Sequence, residues 1–285
     1  MTSVLYAVIF LLIAPALGGL LAGVDRKITA RMQGRMGPPV VQPFYDVLKL
    51  FEKEHAVVHT SQNFYVFSYL IFIAFSGALF FAGGDLLLVI FALTLAHVFL
   101  ILGAYAAASP YAFIGAEREL VQVMAYEPMV ILVAVGMYMV VHSFYVSALA
   151  TTAVPLILYL PGVFIGFAYI LTMKLRKSPF DISTSHHAHQ EIVKGVTTEF
   201  SGSTLGMVEI AHWYENILLV GMGYLFFAFN PLIGVVAMII LYFIEIFIDN
   251  TFARVKWAWA LKSIWQVTAV FGLINLGLLY WRALI

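Results

Sequence analysis

The sequence predicts an all-α integral membrane protein, a single polytopic domain over residues 1–285 with about eight transmembrane helices, and three observations carry that prediction. Hydrophobic residues fill 63% of the 285 positions and charged residues only 11%, with a mean hydropathy of +0.97; a soluble domain is roughly half apolar and a quarter charged. Apolar runs long enough to cross a bilayer recur along the whole chain. The lysines and arginines fall almost entirely in alternate connecting segments.

The runs lie at 4–22, 64–82, 86–107, 120–141, 155–173, 205–227, 232–248 and 263–280. Each approaches the roughly 20 residues that a helix needs to span the hydrocarbon core. No positive residue precedes the first run and Asp25-Arg26-Lys27 follow it, so it reads as a retained helix rather than a signal peptide. The second and third runs are joined by Gly83-Gly84-Asp85 and the sixth and seventh by Phe229-Asn230-Pro231; both are short turns suited to antiparallel neighbours. In the first polar loop, Phe44, Val47, Leu48 and Phe51 alternate at helical spacing with Asp46, Lys49, Glu52 and Lys53. That pattern describes an amphipathic helix lying at the membrane interface.

Orientation follows from charge. The segments after runs one, three, five and seven carry every lysine and arginine except Arg282. By the positive-inside rule both termini face outward and the long polar loops face the cytoplasm, as in a multi-pass protein of the cytoplasmic membrane. Zero net charge gives no field for nucleic acid, and zero cysteines exclude disulfides and thiolate-held metal in this chain.

Ionisable groups inside the membrane are costly, so each asks for a partner or a role. Glu127 falls within run four, and Pro128 after it frees the carbonyl of Met124. On run six, Glu209, His212 and Glu215 recur every third residue and so share one broad face. Glu245 and Asp249 sit one turn apart at the end of run seven. An imidazole between two carboxyl groups is suited to relaying protons; the alternatives are a structurally satisfied cluster or a metal bound through the Glu-x-x-His pair. For His97 in run three, a structural histidine held by tyrosine or threonine neighbours is the preferred reading. No lysine falls deep in any run, and the outer half offers little beyond Asp85 and His142, so the acids describe a half-path that opens inward and hands protons sideways.

The first loop reads Asp25-Arg26-Lys27-Ile28-Thr29-Ala30-Arg31-Met32-Gln33-Gly34-Arg35-Met36-Gly37-Pro38. This pattern, Tyr126-Glu127, Ser178-Pro179-Phe180-Asp181 and Thr198-Glu199-Phe200-Ser201-Gly202, in that placement, resembles the complex I membrane subunit that abuts the quinone chamber. The segment Ile182 to Glu191 departs from it: it contains His186, His187 and His189 and has little acid before Glu191. It looks more like the homologous anchor subunit of ferredoxin-linked, energy-converting nickel–iron hydrogenases. The resemblance implies a subunit without its own cofactor. The nickel–iron centre and iron–sulfur clusters would belong to hydrogenase large and small subunits docked on the cytoplasmic face, beside an antiporter-like membrane subunit. It further implies that Arg26, Arg31, Arg35, Asp181, Glu191 and Glu199 face those subunits, and that Glu127, Glu209, His212, Glu215, Glu245 and Asp249 carry or gate protons or sodium. A quinone-site subunit of a complex I-like dehydrogenase and a stand-alone secondary transporter are the alternatives. The histidine loop reads as a partner-contacting or pH-sensitive segment rather than a metal site.

Overall fold

A computed structural model describes residues 2–54, 60–181, 183 and 195–284, and among these it is all helical apart from turns, connecting segments and one isolated β-bridge. In chain order the helices are α1 (Thr2–Met32), α2 (Gln42–Glu52), α3 (Thr60–Phe81), α4 (Leu86–Ala106), α5 (Pro110–Val141), α6 (Val146–Ala150), α7 (Leu156–Tyr159), α8 (Pro161–Lys174), α9 (Gly202–Tyr224), α10 (Pro231–Thr251), α11 (Trp257–Val267) and α12 (Ile274–Leu284). Glu191 and the His186, His187, His189 cluster lie outside the described residues.

Among the described residues, six helical stretches are long and apolar enough to cross a membrane: α1, α3, α4, α5, α10 and the continuous rod from α11 into α12. The other two expected spans take different forms. The run at 205–227 becomes α9, 23 residues long but carrying Glu209, His212 and Glu215. The run at 155–173 is broken into α7 and a 14-residue α8. Several helices also outrun their apolar segments. Arg26, Lys27 and Arg31, expected in a loop, continue α1, and Arg118 lies inside α5. Hydrogen bonding along the helix does not stop at the edge of the apolar run. The amphipathic helix forms as expected: α2 buries Pro43 and Val47 and exposes Leu48 and Phe51.

Packing centres on α4, which lies against α3 and α5, while α9 packs on α3 and α1, and α8 on α5. The α3–α4 hairpin turns at Gly83, whose φ of +80° is open to glycine at little cost. Asp85 caps α4 by accepting from the backbone N–H groups of Leu87 and Leu88 at 2.8 and 3.1 Å. At Gly18 of α1 a Cβ would meet the carbonyl oxygen of Trp213 at 2.4 Å, so α1 and α9 approach more closely than side chains permit. The side chains of α10 at Leu232, Val235, Ile239, Phe243 and Phe247 are exposed, as befits a helix whose solvent is lipid.

The break between α7 and α8 leaves backbone groups without helical partners, which hydrocarbon does not forgive. Asn275 at the start of α12 supplies both: its Oδ1 accepts from the N–H of Val163 at 3.1 Å, and its Nδ2 donates to the carbonyl of Tyr159 at 3.2 Å. It follows a π-helical turn over Thr268–Leu273, an irregularity that re-aims side chains along a rod. Asn275→Leu is expected to lower stability by about 1–3 kcal/mol, read as an earlier thermal unfolding transition in detergent, with Asn275→Gln losing less.

Candidate functional site

The basic segments gather at one end of the bundle. There Lys177 Nζ lies 2.6 Å from Asp25 Oδ2, Arg26 pairs with Asp46 and so ties α1 to α2, and Arg254 grips Asp181 through its side chain and its carbonyl. Outside the membrane-spanning segments, Asp46 feels a burial effect that alone would raise its pKa. Hydrogen bonds from Arg26 and Gln42, with the charges of Arg26 and Lys49, outweigh that effect and hold it below the usual carboxylate value.

Behind this surface a cavity of about 290 Å³ enters the bundle, lined by Asp25, Arg26, Lys174, Arg176, Glu209, His212, Glu215 and Tyr242 among others. The three residues that the sequence spaces by three on α9 therefore do share one face, and that face is the cavity wall. Glu209 lies about 10 Å and Glu215 about 20 Å along α9 from its start, at roughly 1.5 Å per residue. Carboxylates are thus carried from the basic end to the depth of the bundle.

At the inner limit of the cavity Glu215 is 1% exposed and its Oε1 is 3.0 Å from Nε2 of His97. That separation is an ion-pair distance, and Oε1 makes no aligned hydrogen bond. The other ring nitrogen, Nδ1, is 2.8 Å from the carbonyl oxygen of Leu93. A carbonyl only accepts, so Nδ1 carries a proton. A proton held in the contact then sits either on Nε2, as the second N–H of an imidazolium facing a carboxylate, or on Glu215, as a carboxylic acid facing the Nε2 lone pair. One proton resides in the contact in both cases.

His97, read from the sequence as a structural histidine, is the buried partner of Glu215 that sequence reasoning did not pair with it. It is buried at 3% and Tyr69 does flank it, ring edge to face at 6.2 Å between centroids, as the structural reading expected. Its charged partner lies on another helix, and nothing in the local sequence reports a contact between residues 97 and 215. The signal that could have found it is the rule that an intramembrane imidazole has a partner.

Glu127 does not touch the α9 acids. It bonds to the hydroxyl of Thr94 on α4, and that hydroxyl also lies 3.0 Å from the carbonyl of Ile90. Thr94 and His97 are one turn apart on α4, so they are neighbours on its surface. Glu215 on α9 and Glu127 on α5 therefore each contact α4, at positions one turn apart. Lys174, the last residue of α8, is buried and sits 4.4 Å over the ring of Tyr126, so a lysine does enter the interior, at the foot of α8.

The α10 acids form a separate column. Glu245 is 1% exposed, hydrogen-bonds Thr172 of α8 and leaves Oε2 without a partner. Asp249 accepts from the backbone N–H of Ser178 at 2.8 Å. Lys177 approaches the ring of Tyr242 at 5.6 Å while pairing with Asp25, which joins this column to the cavity wall.

Of the surface residues expected at a partner interface, Arg31 and Arg35 are exposed at the end of α1 and beyond it, Arg35 bonding Gln33. Arg26 and Asp181 are engaged internally as above. Glu199 is half-buried, its carbonyl receiving Gln62 at 3.5 Å. Among the described residues no group of three or more His, Asp or Glu converges as a metal site.

Comparison with known proteins agrees in sequence and in fold. Residues 4–280 match the family described as NADH dehydrogenase. The chain is 32% identical over 239 residues to Hydrogenase-4 component C of Escherichia coli (strain K12), covering 78% of this chain and 72% of that one. It is 28% identical over 300 residues to one of the subunits of NADH-quinone oxidoreductase from Syntrophotalea carbinolica, covering 90% of each. A chain in the solved structure of the membrane-bound sulfane sulfur reductase, an archaeal respiratory membrane complex, superposes with a TM-score of 0.80 at 25% identity, over 96% of this chain and 100% of that chain.

Proposed function

The chain belongs to the NADH dehydrogenase family, as a multi-pass membrane subunit of the complex I-like and hydrogenase-type respiratory complexes, and from that premise we propose that it anchors the redox arm of a ferredoxin-linked, energy-converting nickel–iron hydrogenase and couples electron transfer to movement of protons or sodium. The observation that carries this reading is the polar cavity that leads from the basic end to the Glu215–His97 contact. A protein needing only an anchor gains nothing from burying acids along a polar entry. The nickel–iron centre and iron–sulfur clusters belong, in this reading, to large and small subunits docked where Arg31 and Arg35 project. An antiporter-like membrane subunit receives the protons that this half-path delivers, by way of Glu127.

A second reading has its own support. An apolar crevice of about 760 Å³ runs along α1, α9 and α10 and shares Tyr242 with the polar cavity. A long-tailed amphiphile such as a quinone fits a polar chamber that adjoins an apolar slot, and a relative at 28% identity is named as part of a quinone oxidoreductase. The complex purified intact separates the two. The hydrogenase reading expects nickel in stoichiometric amount, soluble subunits and hydrogen evolution from reduced ferredoxin. Bound quinone with no nickel overturns it in favour of the quinone-site reading.

A further inference from the structure

We infer that His97 is the group that takes the proton from Glu215 and passes it toward Glu127, so that α4 is the bridge between the two halves of the path; this rests on the coupling function proposed above. The argument begins with the two ring nitrogens. Nδ1 is committed to the Leu93 carbonyl at 2.8 Å, and a backbone carbonyl does not take up a proton at physiological pH. Transfer through the ring, in at one nitrogen and out at the other, therefore stops there. Nε2 is the working atom. When Glu215 is a carboxylic acid and its O–H turns into line with the Nε2 lone pair, the O–H bond breaks, the Nε2–H bond forms, and the products are a carboxylate and an imidazolium within ion-pair distance.

The proton then leaves from the atom that received it. On the α4 surface Thr94 lies one turn from His97, and Glu127 of α5 is bonded to it. The Thr94 hydroxyl has a single proton and two oxygen neighbours, Glu127 and the carbonyl of Ile90. When Thr94 donates to Ile90, Glu127 must be the donor and hold a proton. When Glu127 has lost its proton, Thr94 turns to donate to it. The hydroxyl thus accommodates both protonation states of Glu127 without moving a helix. Transfer from the imidazolium to the Glu127 carboxylate, by rotation of the ring or through a water, restores neutral His97 and leaves Glu127 loaded for release. The Glu215 carboxylate is recharged from the cavity, where Glu209 and His212 stand between it and the basic end.

The test compares variants of the whole complex in sealed vesicles, reading ions moved per electron transferred. His97→Gln places an amide where Nε2 lies and so keeps a polar contact with Glu215, while removing the ability to carry a proton. The expected result is a loss of ion movement of about 10²-fold or more, within the range of a lost proton-transfer group, with electron transfer and assembly retained. Thr94→Val, nearly isosteric, is expected to lose ion movement in part. Unchanged ion stoichiometry in His97→Gln overturns the inference. Should that variant fail to assemble, infrared difference spectra of the wild-type complex with labelled histidine decide: a redox-linked change in imidazole protonation supports the role, and its absence refutes it. Failure of this inference is distinct from failure of the coupling function. Glu215→Gln blocked with His97→Gln still pumping removes only His97, whereas both variants pumping removes the function itself.

Discussion

Glu215→Gln in the reconstituted complex is expected to stop ion translocation, by about 10²-fold or more, while electron transfer continues. Glutamine has the shape of glutamate and its amide can still meet Nε2 of His97, so the packing around this fully buried position changes little. What disappears is the exchangeable proton. The distinction between a relay and an anchor lies in that selectivity. A residue present only to satisfy His97 would tolerate an isosteric amide with coupling intact. Ion movement measured against electron flux in sealed vesicles gives the answer, and coupling unchanged in Glu215→Gln contradicts the path.

The second large effect is on stability. Arg176 follows α8 and lines the cavity; its Nη2 lies 3.3 Å from Glu119 of α5, and the hydroxyl of Ser183 donates to the other oxygen of the same carboxylate. Burial alone would lower the pKa of this guanidinium, but the surrounding groups, Glu119 first and then Tyr69 and Glu215, raise it above its ordinary value, so it stays charged. Arg176→Ala leaves Glu119, 6% exposed, as a buried carboxylate without its cation. Breaking such a pair by removing one partner costs about 3–5 kcal/mol. A lower unfolding temperature in detergent checks it, and the double variant Arg176→Ala with Glu119→Gln is expected to recover much of the loss, since it leaves no charge behind. Equal instability of the single and double variants would show that the arginine acts by filling space.

The parts of this fold that could be read from sequence are those where lipid acts as solvent. Apolar runs long enough to span announce α3, α4 and α10 because nothing else explains 20 or so apolar residues in a row, and the Phe44, Val47, Leu48, Phe51 stripe announces α2. Helix ends were less legible. Arg26 and Arg31 mark where the bilayer ends, but the backbone of α1 continues to Met32 because its hydrogen bonds are local and indifferent to the interface. The break at Leu160 was hidden inside an apolar stretch, since hydropathy does not register that Pro161 withholds an N–H or that Asn275 waits on a distant helix to satisfy its neighbours.

The site divides the same way. Glu209, His212 and Glu215 could be grouped because their spacing is a property of one helix. His97 with Glu215, Thr94 with Glu127, and Arg254 with Asp181 are contacts between elements far apart in sequence, and no periodicity encodes them. Asp181 illustrates the consequence: its motif is legible in the sequence, while the grip of Arg254 on it is not. The expected lack of lysine in the interior met Lys174 at the foot of α8, where a basic residue placed just beyond an apolar run folds inward over Tyr126.

The central claim is that the Glu215–His97 contact holds one proton that redox turnover loads and unloads. Infrared difference spectroscopy of the intact complex, reduced minus oxidised, tests it most directly. The account predicts a protonated-carboxyl band that changes with redox state and is missing in Glu215→Gln. A spectrum in which no carboxyl band changes on turnover, or in which the band persists unaltered in Glu215→Gln, contradicts it.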